Sequence, residues 1–519
     1  MNTDIRITVN GTEHRLPASR ANLLLSDFLG ELGNPPDMPC GGRATCKKCL
    51  VKASGHLSEP TPAELRLLTD QDRADHLRLS CLTRITGDAQ ITTQTTGTLQ
   101  VLADSDNTEL RSPDAEPLFR QLGAAIDIGT TTVCVSLFTM DGRHTTITAK
   151  NPQTAYGADV ITRIEKALAG QSEELSHSIQ SCLAAALSSA ARELGYTVAD
   201  IDAVVIAGNT AMLHLLTATD VEPLSHAPFA ATELFGHKSK NKITTNAPLM
   251  TALGLPPETI IYLPRCISAF VGADISAAIL ASGMCDAPET ALLVDLGTNG
   301  EIALWHRERL YVCSTAAGPA FEGAGISCGC YSVPGAIDKV RVQGSSVTYT
   351  TLGSESIRPV GLCGSGIVDA IAAMLSLEII DETGAFQTDE DEYALAEEVR
   401  ISAADVRQVQ LAKGSVRAGV ETLIEVSELK RSDIRTFYVA GGFGNYLNLE
   451  SAAAIGLIPA DMVERTRVIG NASLSGAREI LLDRRRAERL NELATSAETI
   501  RLDANPVFTD NYMEYMMFS

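Results

Sequence analysis

Three cysteines fall within ten residues, in the run Cys40-Gly41-Gly42-Arg43-Ala44-Thr45-Cys46-Lys47-Lys48-Cys49, and a fourth, Cys81, stands 32 residues beyond the last of them. Thiolates so clustered are suited to binding metal. C-x5-C-x2-C with one distant cysteine is close to the C-x4-C-x2-C…C arrangement, in which one loop wraps a [2Fe-2S] cluster and a remote residue completes it. Four thiolates saturate two irons. Gly41, Gly42 and Ala44 are small enough for the backbone to approach the inorganic sulfides, so amide N–H groups can stabilise the reduced cluster's charge. The rival is a four-cysteine zinc site. Such sites ordinarily use two C-x2-C pairs, and Cys81 has no cysteine neighbour.

A second chemistry lies in an internal repeat. Ala125-Ile126-Asp127-Ile128-Gly129-Thr130-Thr131-Thr132 and Leu293-Val294-Asp295-Leu296-Gly297-Thr298-Asn299-Gly300 stand 168 residues apart. Each is an apolar strand ending in Asp, a Gly-hydroxyl turn and a second strand, over 133–139 in the first copy and 301–306 in the second. A third strand follows both, over 144–150 and 311–314, giving two three-stranded meanders. Later, each half carries a strand running into Gly and Asn and then a helix, around Gly208-Asn209-Thr210 and Gly441-Gly442-Phe443-Gly444-Asn445. Glycine turns expose backbone N–H groups to phosphate, hydroxyls add donors, and Asp at a strand end positions Mg2+ or its waters. One Asp-x-Gly-Thr run alone is a common turn. Two copies with matching downstream strands point to a nucleotide clamp.

The elements that would carry these groups are legible. Residues 5–9 alternate as a strand, Asn10-Gly11 reads as a hairpin turn, and 23–32 has the spacing of a short helix, which suits a β-grasp ferredoxin. The segment from Leu79 through Cys81 to Ile91 is expected to return a strand carrying the last ligand. The chain then turns polar and rich in turn residues. The division expected is a [2Fe-2S] β-grasp domain over 1–92, a linker over 93–121, a first lobe over 122–287 and a second over 288–519.

Composition sets the bounds. At about 150 residues per domain, 519 residues make roughly three to four. Hydrophobic residues at 45% and charged ones at 20% suit well-buried globular domains. Sixty-four acidic against 42 basic side chains leave −22, a field that repels phosphate backbones and anionic lipid, so neither nucleic acid nor membrane is expected as a partner. The start lacks a basic stub and apolar core of a signal peptide, and no run offers about 18 apolar residues. A cytoplasmic protein is expected, where twelve cysteines are thiols or ligands.

The duplicated Asp-Ile/Leu-Gly-Thr loops with Val439-Ala440-Gly441-Gly442 resemble the actin-like ATPase superfamily of acetate and sugar kinases, heat-shock chaperones and actin. A ferredoxin domain ahead of them, with Ser314-Thr315-Ala316-Ala317-Gly318-Pro319-Ala320-Phe321-Glu322-Gly323-Ala324 and Gly361-Leu362-Cys363-Gly364-Ser365-Gly366, resembles the reductive activators of corrinoid-dependent enzymes over nearly the whole chain. The resemblance implies a multidomain α+β and α/β chain: a β-grasp ferredoxin joined by a linker to a duplicated RNase H-like, actin-like (ASKHA) two-lobed ATPase. It implies one [2Fe-2S] cluster on Cys40, Cys46, Cys49 and Cys81. It assigns Asp127, Gly129, Thr130 and Thr131 to the first phosphate loop, and Asp295, Gly297, Thr298 and Asn299 to the second, with Asp127 and Asp295 as the catalytic acids. Gly441 and Gly442 would lie beside adenosine, with the Gly470-Asn471-Ala472 turn near it.

The implied activity is ATP- and Mg2+-dependent reduction of Co(II) to Co(I) in a corrinoid protein or methyltransferase, by one electron from the cluster. Implied with it are a low-potential donor such as a ferredoxin or flavodoxin, and a homodimer. The alternatives are an actin-like small-molecule kinase with a redox-sensing ferredoxin module, or a nucleotide-regulated electron carrier or docking protein. Where the family commonly has glycines this chain has Ala44 and Lys47, which narrows the backbone's freedom and brings positive charge that could raise the cluster potential or dock an acidic donor.

Other polar residues read as structural. Cys134, Cys182, Cys266, Cys285 and Cys313 suit buried apolar positions, and His214 a core helix. Cys328, Cys330 and Cys363 make a poor ligand set. Asp274 suits either an acid between the lobes or a helix cap. The apolar C-terminal tail is expected to pack on a domain or a second subunit.

Overall fold

A computed structural model describes residues 4–32, 36, 38, 42, 44, 47–93, 114–236, 246–353, 357–442 and 447–518. Cys40 and Cys46, residues 94–113 of the expected linker, and Phe443-Gly444-Asn445 lie outside them. The chain divides into two compact units, one of Met1–Gly97 with Pro152–Lys166, the other of Thr98–Asn151 with Ala167–Ser519.

In the first unit, strands β1 (Ile5–Val9), β2 (Thr12–Leu16), β3 (Leu50–Leu57), β4 (Leu77–Leu79) and β5 (Ile85–Thr93) form one sheet in the order β2-β1-β5-β3-β4. Only β1 and β5 run parallel among these pairs. Ile5, Ile7 and Val9 alternate inward, as period-two spacing requires, and pack with Leu25, Phe28 and Leu29 of helix α1 (Leu25–Glu31). This is the β-grasp arrangement. Two short helices follow β3, α2 (Pro62–Leu67) and α3 (Asp70–Ala74), and α4 (Val160–Lys166) also falls in this unit.

The second unit holds two sheets of matching order. In the first, β6 (Leu122–Ile128), β7 (Thr132–Thr139), β8 (His144–Lys150), β9 (Ile201–Gly208) and β10 (Ile260–Tyr262) lie as β10-β9-β6-β7-β8. Helices α5 (Ser172–Glu193), α6 (Thr210–Leu216), α7 (Ala247–Ala252) and α8 (Ala273–Ser282) intervene or follow. In the second half, β11 (Ala291–Leu296), β12 (Gly300–His306) and β13 (Arg309–Thr315) repeat the meander. An insertion follows: β14 (Ala336–Gln343), β15 (Ser346–Thr351) and β16 (Gly361–Leu362), then α9 (Gly364–Ser376) and the hairpin β17 (Glu392–Ala396) and β18 (Val399–Ser402). Next come α10 (Ala403–Val426), β19 (Thr436–Ala440), α11 (Leu449–Ala454), β20 (Thr466–Gly470), α12 (Ala472–Leu482), α13 (Arg485–Ser496), β21 (Glu498–Thr499) and α14 (Pro506–Glu514). The sheet order is β20-β19-β11-β12-β13-β21, so β11 sits between a parallel and an antiparallel neighbour as β6 does. Both central strands are covered on both faces, which is why they read as apolar runs rather than alternations.

The two cores do not part where the chain halves meet. Leu474, Ala477, Ile480 and Leu481 of α12, with Leu490 of α13, complete the core of the first sheet around Ala125 and Val205. Helix α8 serves both sides: Ala277 and Leu280 join that core, while Ile275, Ala278 and Ile279 pack on Leu293, Ala303 and Val312 of the second sheet. Where α8 meets α12 the approach demands glycine, since a Cβ on Gly476 would stand 2.1 Å from the Ala277 carbonyl oxygen. The C-terminal tail packs on its own unit: Lys413 of α10 donates to the Met517 carbonyl, its ammonium lies 5.3 Å from the centre of the Phe518 ring, and Phe518 is buried.

Candidate functional site

Two candidate centres emerge, one in each unit. In the first, Cys49 precedes β3 and Cys81 occupies the turn between β4 and β5, not a strand as its spacing suggested. The chain turns there because Ser80 N–H donates to Cys49 O at 3.0 Å, while the Leu82 and Thr83 amides both donate back to Leu79 O. These bonds bring the buried sulfurs of Cys49 and Cys81 to 3.2 Å. Two thiolates on one tetrahedral ion at 2.3 Å stand about 3.8 Å apart, so the pair lies close enough to share one ion once the sulfurs part by about 0.6 Å.

Glu64 holds that turn. Its side chain, 0% exposed, accepts from Arg78 Nε at 2.8 Å, from Leu79 N–H at 2.9 Å and from the Thr83 hydroxyl at 3.4 Å. Ala44 and Lys47 have φ of 55° and 57°, left-handed values that fit glycine best. Lys47 does not present a free charge, because its ammonium is paired with Asp72 at 2.6 Å.

In the second unit, Asp127 is the penultimate residue of β6 and Asp295 of β11, and each is followed by a glycine turn. The parallel strands β9 and β19 align Ala207 with Asp127 and Ala440 with Asp295, an equivalence of register between the halves. One cleft is lined by Asp127, Gly129, Thr130 and Thr131 from the first loop, Asp295, Gly297, Thr298 and Asn299 from the second, and Gly441 and Gly442. The structure thus gathers the two phosphate-type loops, Gly441 and Gly442 around one cleft.

The loop glycines themselves differ from the expectation in one respect. The glycine N–H groups do not face outward: Gly129 donates to Thr132 O at 2.9 Å and Gly297 to Asn299 O at 3.1 Å, closing each turn on itself. Gly441, at φ +121°, lies so close to β11 that a Cβ would stand 2.3 Å from the Leu296 carbonyl oxygen. Asn471, in the turn expected near adenosine, lines the cleft and donates to Asp127 Oδ2 at 2.9 Å, and Ser473 donates to Oδ1 at 2.7 Å. Asn471 also caps α12, accepting from Leu474 N–H. Asp274 is not the N-cap of α8, which is Gly272, but its carboxylate accepts from the first-turn Ile275 N–H at 2.8 Å and also lines the cleft.

Two further carboxylates, Glu301 and Glu322, line the same space. Glu301 escaped sequence reading because the second loop closes one residue sooner: Asp127 faces Cys134, whereas Asp295 faces Glu301. Aligning the two motifs residue for residue hides that match. Glu322 carried no signal beyond its place in the 314–324 run.

Four of these acids, Asp127, Asp274, Asp295 and Glu301, are buried together, and burial favours their neutral forms. Burial, then the charges of Asp274, Asp127 and Glu322, pushes Asp295 up to about 8. Burial takes Asp274 to about 7 and raises Glu301 well above the ordinary range. Burial also raises Asp127, against the opposing bonds from Ser473 and Asn471. A cation entering the cleft would favour the ionised forms of these acids. Among the described residues no three His, Cys, Asp or Glu converge to hold an ion directly. Mg2+ would be held through its waters and phosphate oxygens, its usual habit.

The residues read as structural remain so. His214 is buried, with one ring nitrogen on Thr210 O at 2.7 Å and the other accepting from Glu233 N–H at 3.2 Å. Cys266, Cys285, Cys313 and Cys134 are buried, although Cys134 also borders the cleft; Cys182 is half-buried. Cys330 borders the cleft with Tyr331 and Ser332.

Fold and site together define a class: a β-grasp iron-sulfur domain joined to a duplicated actin-like ATPase of the ASKHA type. Residues 289–519 match the C-terminal domain of RACo, the ASKHA domain, residues 122–287 the RACo middle region, and residues 7–86 the 2Fe-2S iron-sulfur cluster binding domain. The chain is 30% identical to the corrinoid activation enzyme RamQ of Eubacterium limosum, over 95% of this chain and 96% of that one. It is 26% identical to the Co(II) methylated amine-specific corrinoid protein reductase of Methanosarcina barkeri, over 75% and 76% of the two. A solved structure of a reductive activator for corrinoid, iron-sulfur protein superimposes with a TM-score of 0.72 and 26% identity, covering 99% of this chain and 98% of that one. The chain belongs to the family of reductive activators of corrinoid proteins.

Proposed function

We propose that this protein uses ATP to return an inactive Co(II) corrinoid protein or methyltransferase to Co(I), by one electron passed through a [2Fe-2S] cluster. The observation that carries the reading is the end-to-end likeness to a corrinoid activation enzyme, in a chain whose two phosphate-type loops open on one cleft. Residues 1–92 would hold the cluster on Cys40, Cys46, Cys49 and Cys81, 93–121 would tether it, and 122–287 with 288–519 would hold the nucleotide. The cluster would supply the electron. The chain's own part is to hold Cys81 through the Glu64-braced turn and to keep Cys49 and Cys81 in a buried, apolar setting beside Met38, Leu68 and Leu79.

In the nucleotide half, Thr131 and Thr298 would offer hydroxyls to phosphate, while Asp127 and Asp295 orient the waters of Mg2+. Gly441 and Gly442 would border adenosine. Each 59 mV of unfavourable potential costs about tenfold for one electron, so a gap of roughly 120 mV costs nearly 3 kcal/mol. Nucleotide offsets such a gap if the ATP-bound form binds the Co(II) partner and the Co(I) product with different affinity. The partners proposed with this reading are a low-potential ferredoxin or flavodoxin and a second copy of the chain, the latter checked by sedimentation. A cytoplasmic setting suits thiolate ligands. No described helix is long and apolar enough to cross a membrane.

The test mixes the anaerobically reconstituted protein with a Co(II) corrinoid protein and a low-potential donor, and follows Co(I) absorbance with and without Mg-ATP. Co(I) that forms only with ATP is expected. Equal formation without ATP, or none with several corrinoid partners despite a reducible cluster, would overturn the proposal.

A further inference from the structure

Glu322 closes the short turn Pro319–Glu322 and spans the two loops: its carboxylate accepts from the Thr131 hydroxyl of the first and, at 2.8 Å, from the Thr298 hydroxyl of the second. Its backbone has little freedom to withdraw. Phe321 beside it is buried, and Gly323, at φ +77°, lies so close to Cys330 O that a Cβ would stand 2.2 Å away.

A hydroxyl has one proton to give and rotates freely. When phosphate oxygens enter between the loops, Thr131 and Thr298 can turn their O–H groups to the stronger acceptor. That leaves both Glu322 oxygens unsatisfied at the phosphate end of the cleft, where water is the donor at hand. Two of the other carboxylates already have donors of their own. Asp127 is bound at both oxygens by Asn471 and Ser473, and Asp274 accepts from Ile275 N–H.

We propose that Glu322 is the general base of nucleotide hydrolysis in this protein, a role that rests on the reading that a triphosphate lies between the two loops. Glu322 takes a proton from the attacking water, the water oxygen bonds to the γ-phosphorus, and the bond from that phosphorus to the β,γ-bridging oxygen breaks. ADP leaves with the electron pair, and the proton passes to solvent with phosphate release. Nothing is oxidised or reduced.

The experiment uses the full-length holoprotein and separates binding from turnover. Glu322→Gln should bind the non-hydrolysable Mg-AMPPNP within a few-fold of the unmodified protein, while its single-turnover ATP hydrolysis falls about 10²- to 10⁴-fold, the usual worth of a positioned base. Glu322→Ala should regain part of the rate when formate is added. Hydrolysis by Glu322→Gln within threefold of the unmodified rate would overturn the assignment. So would a gain in nucleotide affinity with turnover unchanged, which would mark Glu322 as a clasp that phosphate displaces. Failure of the unmodified protein itself to bind Mg-AMPPNP would refute the nucleotide reading, and this role with it.

Discussion

Gly476 tests whether the crossing of α8 and α12 governs the cleft from a distance. In the Gly476→Ala protein the new Cβ would lie 2.1 Å from the Ala277 carbonyl oxygen, more than 1 Å inside the 3.4 Å of ordinary contact. A carbonyl cannot rotate away as a side chain does, so the two helices must part. Overpacking costs about 1–3 kcal/mol, and a rigid backbone partner puts this case near the upper end. Alanine returns about 1 kcal/mol of helix propensity, leaving a net loss of about 2 kcal/mol. Helix α8 carries Asp274 in its first turn, and the start of α12 carries the Asn471 and Ser473 that hold Asp127. Parting them draws these groups out of register with the loops. If about 1.4 kcal/mol must be recovered on binding, nucleotide affinity falls about tenfold. Isothermal titration with Mg-AMPPNP should read that loss, and thermal unfolding of the nucleotide-free protein should show a fall of about 2 °C. A further Ala277→Gly change should not rescue either readout, because it removes the methyl and keeps the carbonyl. Unchanged affinity and unfolding temperature in Gly476→Ala, or full rescue by Ala277→Gly, would refute the reasoning.

At pH 7 the Asp295 carboxyl, pushed by burial to about 8, is mostly protonated, and Asp274, at about 7, is half so. A cation favours the ionised forms, so Mg-nucleotide binding should release protons at pH 7 and tighten as pH rises toward 8; calorimetry in buffers of different ionisation heat reads this, and heats independent of buffer would contradict it. In the cluster unit, Glu64→Ala strands the Arg78 guanidinium, whose side chain is only 13% exposed, and should cost about 3–5 kcal/mol. Loss of visible cluster absorbance per chain, with nucleotide binding intact, is the expected result; full cluster content and an unchanged unfolding profile would show that Glu64 does not brace Cys81.

Local chemistry made much of this legible from residues alone. A cysteine loop declares its ligands by spacing, a strand by its alternation, and a duplication by its repeated Asp-Ile/Leu-Gly-Thr signature, because each is written over a few adjacent positions. The β-grasp strand at Ile5–Val9, the meander strand at His144–Lys150 and the turn at Asn10-Gly11 stand where those patterns put them. What tertiary structure alone decided are the partners met across long stretches of chain. Asn471 and Ser473 reach Asp127 across some 340 residues, Glu322 joins loops that begin 168 residues apart, and Glu64 finds the Cys81 turn through a buried ion pair. None has a local signature, because the constraint on each is a point in space fixed by how α8 and α12 cross and where the strands end. The protonation of the cleft belongs to the same class: a lone Asp in a sequence is an ordinary acid, and only its burial beside other carboxylates makes it hold its proton near neutral pH.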